Sequence, residues 1–337
     1  MASHRNTAIL GAGNWGTVIA LLADRVAREQ GFKVFLFDVD PAKIKDIASC
    51  RENRANLPGI EVPPSIIVTD SLATVFGECG LIMPVIPAKF MRQFATLWAS
   101  QVRGDHYIVH GTKGFEPQTH KRISQVIVEE TGCLRVGALS GPNLANELAR
   151  GLPSATVVAS PFKEVQRRAI QNLTSDRFVV EGSDDLAGVE FIGALKNILA
   201  LASGLCAGLE LGQNATGTVL TRGLAEIRAL LLHWEANTDT ILSLAGFGDI
   251  IATSTSPESR NFRAGLLLAK SLKMEEIEAK LSSTVEGFNT LMAVQTLAGG
   301  TTGDLPLIQA LWSISRGHGE PRQTLATALH MNSRSVD

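Results

Sequence analysis

From its start to about residue 185 the chain alternates short apolar runs, rich in Val, Ile, Leu and Phe, with longer stretches whose apolar positions recur at helical spacing. The runs at 8–10, 34–37, 66–69, 81–85, 107–110, 136–139, 155–159 and 177–181 predict strands. Helix-length segments between them predict a mostly parallel sheet covered on both faces, in an α/β doubly wound domain over residues 1–185. Beyond residue 185 this pattern stops. Stretches at 186–209, 216–236, 260–272, 274–281, 288–298 and 306–315 read as helices, so residues 186–337 predict an all-α domain. No low-complexity linker separates the halves, and the expectation is a shared cleft rather than two independent beads. There is no internal repeat.

The first apolar run breaks into Gly11-Ala12-Gly13-Asn14-Trp15-Gly16 and resumes as a helical pattern, giving strand, tight turn and helix. Gly11 permits the turn, Gly13 lets the backbone approach a pyrophosphate, and Gly16 lets the helix lie close on the strand, as in a Rossmann fold. Phosphates then sit at a helix N-terminus, where free N–H groups and the helix dipole favour negative charge. A second apolar run ends in Asp38, at the spacing where such a fold places its ribose-binding acid. A carboxylate there favours NAD over NADP, with NADP still possible. The alternative is that Asp38 or Asp40 caps the helix beginning near Pro41. Other breaks, at 85–89, 111–114 and 140–143, fall at strand ends, where open α/β sheets bind ligands.

A length of 337 residues favours two domains, and 45% hydrophobic with 19% charged residues supports sizeable cores. The net charge of −2 gives no general attraction to nucleic acid or an anionic membrane, so any anion binding must be local. Cys50, Cys79, Cys133 and Cys206 form no C-x-x-C pair, the seven histidines show no metal spacing, and a reducing cytoplasm suits the chain. No apolar leader precedes the first run. The most apolar segment, 191–209, carries Lys196 and Asn197 and reads as a buried helix, not a membrane span.

Lys196 is the main chemical candidate. An ammonium among apolar neighbours is costly unless it meets a partner or ligand, and desolvation favours its neutral form, which suits proton transfer. A lysine snorkelling to solvent is the alternative. Gly246-Phe247-Gly248-Asp249 suggests a turn presenting Asp249 beside an inward lysine, or simply an N-cap. Ser259, Arg260 and Asn261, at a helix start, suit a phosphate monoester; the alternative is a capped surface helix. Lys113, in a Gly-flanked loop, suits a phosphate or carbonyl oxygen, and Glu286, before Gly287, an amide or ribose; each is otherwise an ordinary loop residue.

Taken in order, Gly11–Thr17, Asn53–Gly59, Thr112-Lys113-Gly114, Ser140–Ala145, Gly193–Asn197, Leu220–Glu226, Gly246–Asp249, Ser259-Arg260-Asn261 and Val285-Glu286-Gly287 resemble the NAD(P)-dependent glycerol-3-phosphate dehydrogenases of bacterial type. The resemblance implies reversible reduction of dihydroxyacetone phosphate to sn-glycerol 3-phosphate, a phospholipid precursor, by a cytoplasmic homodimer. By it, Lys196 is the proton donor and acceptor, with Lys113 and Asp249 beside it. Lys113, Gly141, Asn143, Asp249, Ser259, Arg260 and Asn261 match substrate positions. Gly11, Gly13, Asn14, Trp15, Gly16, Asp38, Lys113, Ala145, Arg260 and Glu286 match or suit cofactor positions. Three departures stand out: Phe262 where a second Arg is frequent, Asn143 where Ser or Thr is, and Asp38-Val39-Asp40 without the basic residue often found nearby. The last favours NAD. A hydroxyacid dehydrogenase of the same plan, or a non-catalytic dinucleotide sensor, are the competing expectations.

Overall fold

The computed structural model describes residues 5–298 and 305–330. The chain divides into two compact units, one holding residues up to Glu116 and Lys121–Leu186, the other Pro117–His120 and the residues from Ala187 onward.

The first unit is built on an eight-stranded sheet: β1 Thr7–Leu10, β2 Val34–Phe37, β3 Ile66–Thr69, β4 Leu81–Pro84, β5 Tyr107–His110, β6 Val136–Ser140, β7 Ser154–Ala159 and β8 Phe178–Ser183. Their order is β3-β2-β1-β4-β5-β6-β7-β8, and only β6 and β7 pair antiparallel. The chain winds outward to β3 and then crosses to β4 on the far side of β1. That reversal leaves a crevice at the carboxyl end of β1, where the glycine turn lies. Alternation along the strands feeds two cores: Ile9, Val34 and Leu36 point to one face, Ala8, Leu10, Phe35 and Phe37 to the other.

The second unit is helical, as the periodicity predicts. Its longest helix, Leu186–Gly208, shares one core with Gly212–His233, Asp249–Ser254, Arg260–Leu268, Met274–Leu281, Glu286–Leu297, Pro306–Ser315 and Pro321–His330. The helices Asp249–Ser254 and Pro321–His330, and the turns Thr238–Leu242 and Leu244–Gly248 that lead into Asp249, go beyond the sequence expectation. By length and composition Leu186–Gly208 passes for a membrane span, yet its residues from Gly188 to Cys206 are almost all buried within the unit. Small residues set its closest approach. A Cβ at Gly204 would lie 2.0 Å from the Phe262 carbonyl oxygen, and one at Gly265 2.2 Å from that of Leu201.

Glu226 anchors a second junction. Its carboxylate is 3% exposed and accepts hydrogen bonds from Leu307 N (2.7 Å) and Ile308 N (2.9 Å), capping the helix Pro306–Ser315. Burial pushes the carboxyl from 4.5 up to about 7, against the opposing pull of the two N–H donors. The folded chain therefore holds this proton more tightly than the unfolded one. Its contribution to stability is full below about pH 4.5 and is lost as pH rises toward about 7. Glu226→Gln, which cannot titrate, lacks that slope. The difference between the two proteins' unfolding free energies in urea shifts by ~3 kcal/mol across the window; parallel curves would remove Glu226 as its source.

Candidate functional site

In the first unit the glycine turn has the geometry its spacing predicts. Gly11 sits at φ 115°, where a Cβ would fall 2.6 Å from the Val85 carbonyl oxygen, and a Cβ at Gly16 would lie 1.9 Å from that of Gly11. A Cβ at Gly13 would meet nothing within 4 Å, so this face of the turn is open. Gly13 is the N-cap of the helix Asn14–Gln30, which has no side-chain cap and no acidic residue in its first turn. A long helix thus presents free N–H groups to open space, an arrangement that favours an anion. Asn53 holds the turn from behind, its Nδ2 donating to Ala12 O (2.9 Å) and Thr17 Oγ1 (2.8 Å). Its place in Asn53–Gly59 carried no role in the sequence reading.

Beside the turn, Asn14 Nδ2 donates to Asn146 Oδ1 at 3.5 Å, while Asn14 Oδ1 is buried and unpartnered among the described residues. Trp15 is half-buried, its Nε1 in the space a Cβ on Gly111 would crowd at 3.1 Å. Ala145 opens the short helix Ala145–Ala149. The open face over Gly13, the uncapped N-terminus and the orphaned Asn14 oxygen fit the pyrophosphate and adjoining groups of a dinucleotide.

The two readings of the strand end separate. Asp40 is the helix cap, accepting from Ala42 N (2.9 Å) and Lys43 N (3.3 Å). Asp38 is not. Its Oδ2 accepts from Ala12 N of the glycine turn (2.8 Å) and from Lys43 Nζ (2.9 Å). A basic residue absent from the strand end in sequence is therefore supplied from the next helix. Asp38 also lines an apolar cavity of about 420 Å³ with Gly11, Phe37, Ile86, Pro87 and Phe90.

Lys113 follows β5 in a loop turned by Gly114 at φ 113°, and its Nζ donates to Gly141 O at 3.3 Å. Thr112 Oγ1 ties the loop to Ile86 O (2.7 Å). Glu116, 2% exposed, is gripped by Arg92, whose Nη2 donates to Glu116 Oε2 at 2.9 Å. Across from Lys113, a Cβ at Gly141 would lie 2.8 Å from Thr156 Oγ1, and Asn143 Nδ2 donates to that same oxygen at 2.9 Å.

In the second unit, Lys196 is 5% exposed and does not snorkel. Its Nζ donates to Asp249 Oδ1 (2.5 Å) and Thr253 Oγ1 (2.7 Å), and Thr253 Oγ1 donates to Asp249 Oδ1 (3.1 Å). Asp249 is the first residue of Asp249–Ser254, delivered inward by the π-type turn Leu244–Gly248. Such turns are enriched at functional sites. Thr253 escaped the sequence reading, although it lies four residues after Asp249 and so on the same helix face. The buried ammonium is compensated by a carboxylate, with one hydroxyl completing the triangle.

A second polar cluster lies on the same long helix. Asn261 Nδ2 donates to Asn197 Oδ1 (2.8 Å), and Gly287 N donates to Asn261 Oδ1 (2.9 Å). Asn261 thus binds three helices together and uses both ends of its amide inside the protein. Ser259 is the N-cap of Arg260–Leu268, accepting from Phe262 N (3.3 Å), and Arg260 projects exposed from the first turn. Glu286, half-buried, starts the helix Glu286–Leu297. Among the described residues, no group of three or more His, Cys, Asp or Glu could hold a metal ion.

Similarity to known proteins runs along nearly the whole chain. Residues 6–166 match the family model described as NAD-dependent glycerol-3-phosphate dehydrogenase N-terminus, and residues 185–326 that of the C-terminus. A glycerol-3-phosphate dehydrogenase (NAD(P)+) of Moorella thermoacetica is 38% identical over 307 residues, 91% of this chain and 90% of that protein. The namesake of Geobacillus kaustophilus is 37% identical over 324 residues, covering 95% and 93%. The crystal structure of a glycerol-3-phosphate dehydrogenase from Coxiella burnetii superposes with a TM-score of 0.89 at 31% identity, over 97% of this chain and 99% of that one. With a dinucleotide turn in one unit and a buried Lys-Asp-Thr triangle in the other, the chain belongs to the NAD-dependent glycerol-3-phosphate dehydrogenase family.

Proposed function

We propose that the chain reversibly reduces dihydroxyacetone phosphate to sn-glycerol 3-phosphate with NAD(P)H, in the cytoplasm and as a homodimer, supplying a phospholipid precursor. The observation that carries the mechanism is the triangle of Lys196, Asp249 and Thr253. In this reading residues 1–185 bind the dinucleotide, with Gly11, Gly13, Asn14, Trp15 and Gly16 at the pyrophosphate end and Asp38 at the ribose. Ala145, Glu286 and Arg260 complete its contacts. Residues 186–337 carry the acid-base and phosphate-binding chemistry.

When bound, the nicotinamide supplies a hydride to C2 of the ketone. The Lys196 ammonium faces the negative charge that develops on the C2 oxygen and then gives that oxygen a proton. Asp249 holds the ammonium in charge and direction, and Thr253 accepts a second of its hydrogens, so the nitrogen is held in place for the transfer. In the reverse direction the same nitrogen takes the proton. Lys113, with Gly141 and Asn143 nearby, contributes a second cation on the substrate. Ser259 caps the helix from which Arg260 reaches the phosphate, and Asn261 fixes that turn from inside.

Incubation with reduced cofactor and dihydroxyacetone phosphate, followed by nicotinamide absorbance, tests the assignment. Turnover of a hydroxy acid and not of the phosphate would replace it with the hydroxyacid reading, and cofactor binding without turnover with the sensor reading. Within it, Arg260→Ala raises KM for the phosphate substrate by about 10- to 100-fold while kcat changes little, since a charged hydrogen bond contributes ~1.5–3 kcal/mol. An unchanged KM would remove Arg260 from the phosphate site.

A further inference from the structure

Asp38 does not stand alone at the end of β2. Its Oδ2 is shared between the Ala12 N–H, at 2.8 Å, and the Lys43 ammonium, at 2.9 Å, while Asp40 N approaches Oδ1 at 3.2 Å. Lys43 is fixed at its backbone by the Asp40 cap and sends its side chain back over the strand end. The two side chains are 24% and 13% exposed, so the pair is partly desolvated but open on one side.

An isolated carboxylate at this position accepts hydrogen bonds from a ribose diol and repels a 2′-phosphate, which carries nearly two negative charges. With Lys43 in contact, the pair is close to neutral and that repulsion is largely cancelled. Lysine's flexible stem also lets its ammonium turn from Asp38 to a phosphate without moving the backbone. We infer that Lys43 is a cofactor-selectivity residue: Asp38 reads the ribose hydroxyls of NADH, and Lys43 keeps the same site open to the 2′-phosphate of NADPH.

This rests on the first unit being the dinucleotide site, and a probe without a nicotinamide separates the two claims. The full chain is titrated by calorimetry with ADP-ribose and with 2′-phospho-ADP-ribose, alongside kcat/KM for NADH and NADPH. In Lys43→Gln, affinity for 2′-phospho-ADP-ribose falls at least about tenfold and ADP-ribose affinity stays within about twofold, and the ratio of kcat/KM for NADH over NADPH rises in parallel. Asp38→Asn moves the ratio the other way. High salt weakens the phosphorylated probe more than the plain one, because only its binding draws on the Lys43 ammonium. If the wild-type chain binds neither probe, the dinucleotide assignment falls and this inference with it. If it binds both and Lys43→Gln leaves their ratio unchanged, or weakens both equally at an unchanged melting temperature, the inference alone is overturned.

Discussion

Lys196→Met lowers kcat by at least about 10³-fold, measured with saturating reduced cofactor and dihydroxyacetone phosphate, while calorimetric affinity for the cofactor stays within about twofold. The methionine keeps the volume of the stem on the Leu186–Gly208 helix and removes both the proton and the charge that faces the developing alkoxide. It also takes the Lys196 ammonium away from Asp249, which is 2% exposed, and breaking a buried pair from one side costs about 3–5 kcal/mol. Lower stability alone could then be mistaken for lost chemistry. The double variant Lys196→Met with Asp249→Asn removes the remaining buried charge of the pair. It is expected to regain most of the melting temperature and none of the turnover. A double variant that recovers activity together with stability would reduce Lys196 to a packing residue.

Much of this site was legible because it is local. The glycine turn, its helix and the acid at the end of β2 follow from neighbours within a few residues, and spacing alone distinguishes Gly13, over open space, from Gly16, pressed on the Gly11 carbonyl. Family resemblance placed Lys196 beside Asp249; what the residues alone left open was whether they meet, since they are 53 positions apart and only helix packing joins them. Thr253 was recoverable from its i, i+4 relation to Asp249. Asn261 was read by type, as a polar residue at a helix start, and its amide is in fact bound on both sides by Asn197 and Gly287. The missing base near Asp38 shows the limit of reading along the chain: Lys43 lies in the next helix and reaches back through space. Helix Pro321–His330 went unread although Leu325, Ala328 and Leu329 recur at helical spacing and pack on the core.

Gly204→Ala destabilises the protein by about 3 kcal/mol and impairs the site without touching substrate. A Cβ there would sit 2.0 Å from the Phe262 carbonyl oxygen and 3.0 Å from the Gly265 Cα, and both obstacles are backbone, so the helices Leu186–Gly208 and Arg260–Leu268 must separate. Overpacking a rigid contact costs ~1–3 kcal/mol, and here the movement also stretches the 2.8 Å bond between Asn261 and Asn197 that fixes the turn carrying Arg260. KM for the phosphate substrate is therefore expected to rise several-fold while affinity for the cofactor's ADP-ribose half holds. Gly217→Ala supplies the contrast. It lies within the helix Gly212–His233, its Cβ would meet nothing within 4 Å, and the same methyl group there should stabilise by ~0.5–1 kcal/mol through helix propensity. Opposite shifts in melting temperature for these two substitutions follow from the close crossing at Gly204; equal shifts would mean that the long helix has room there, and that Asn261 holds its turn by some other means.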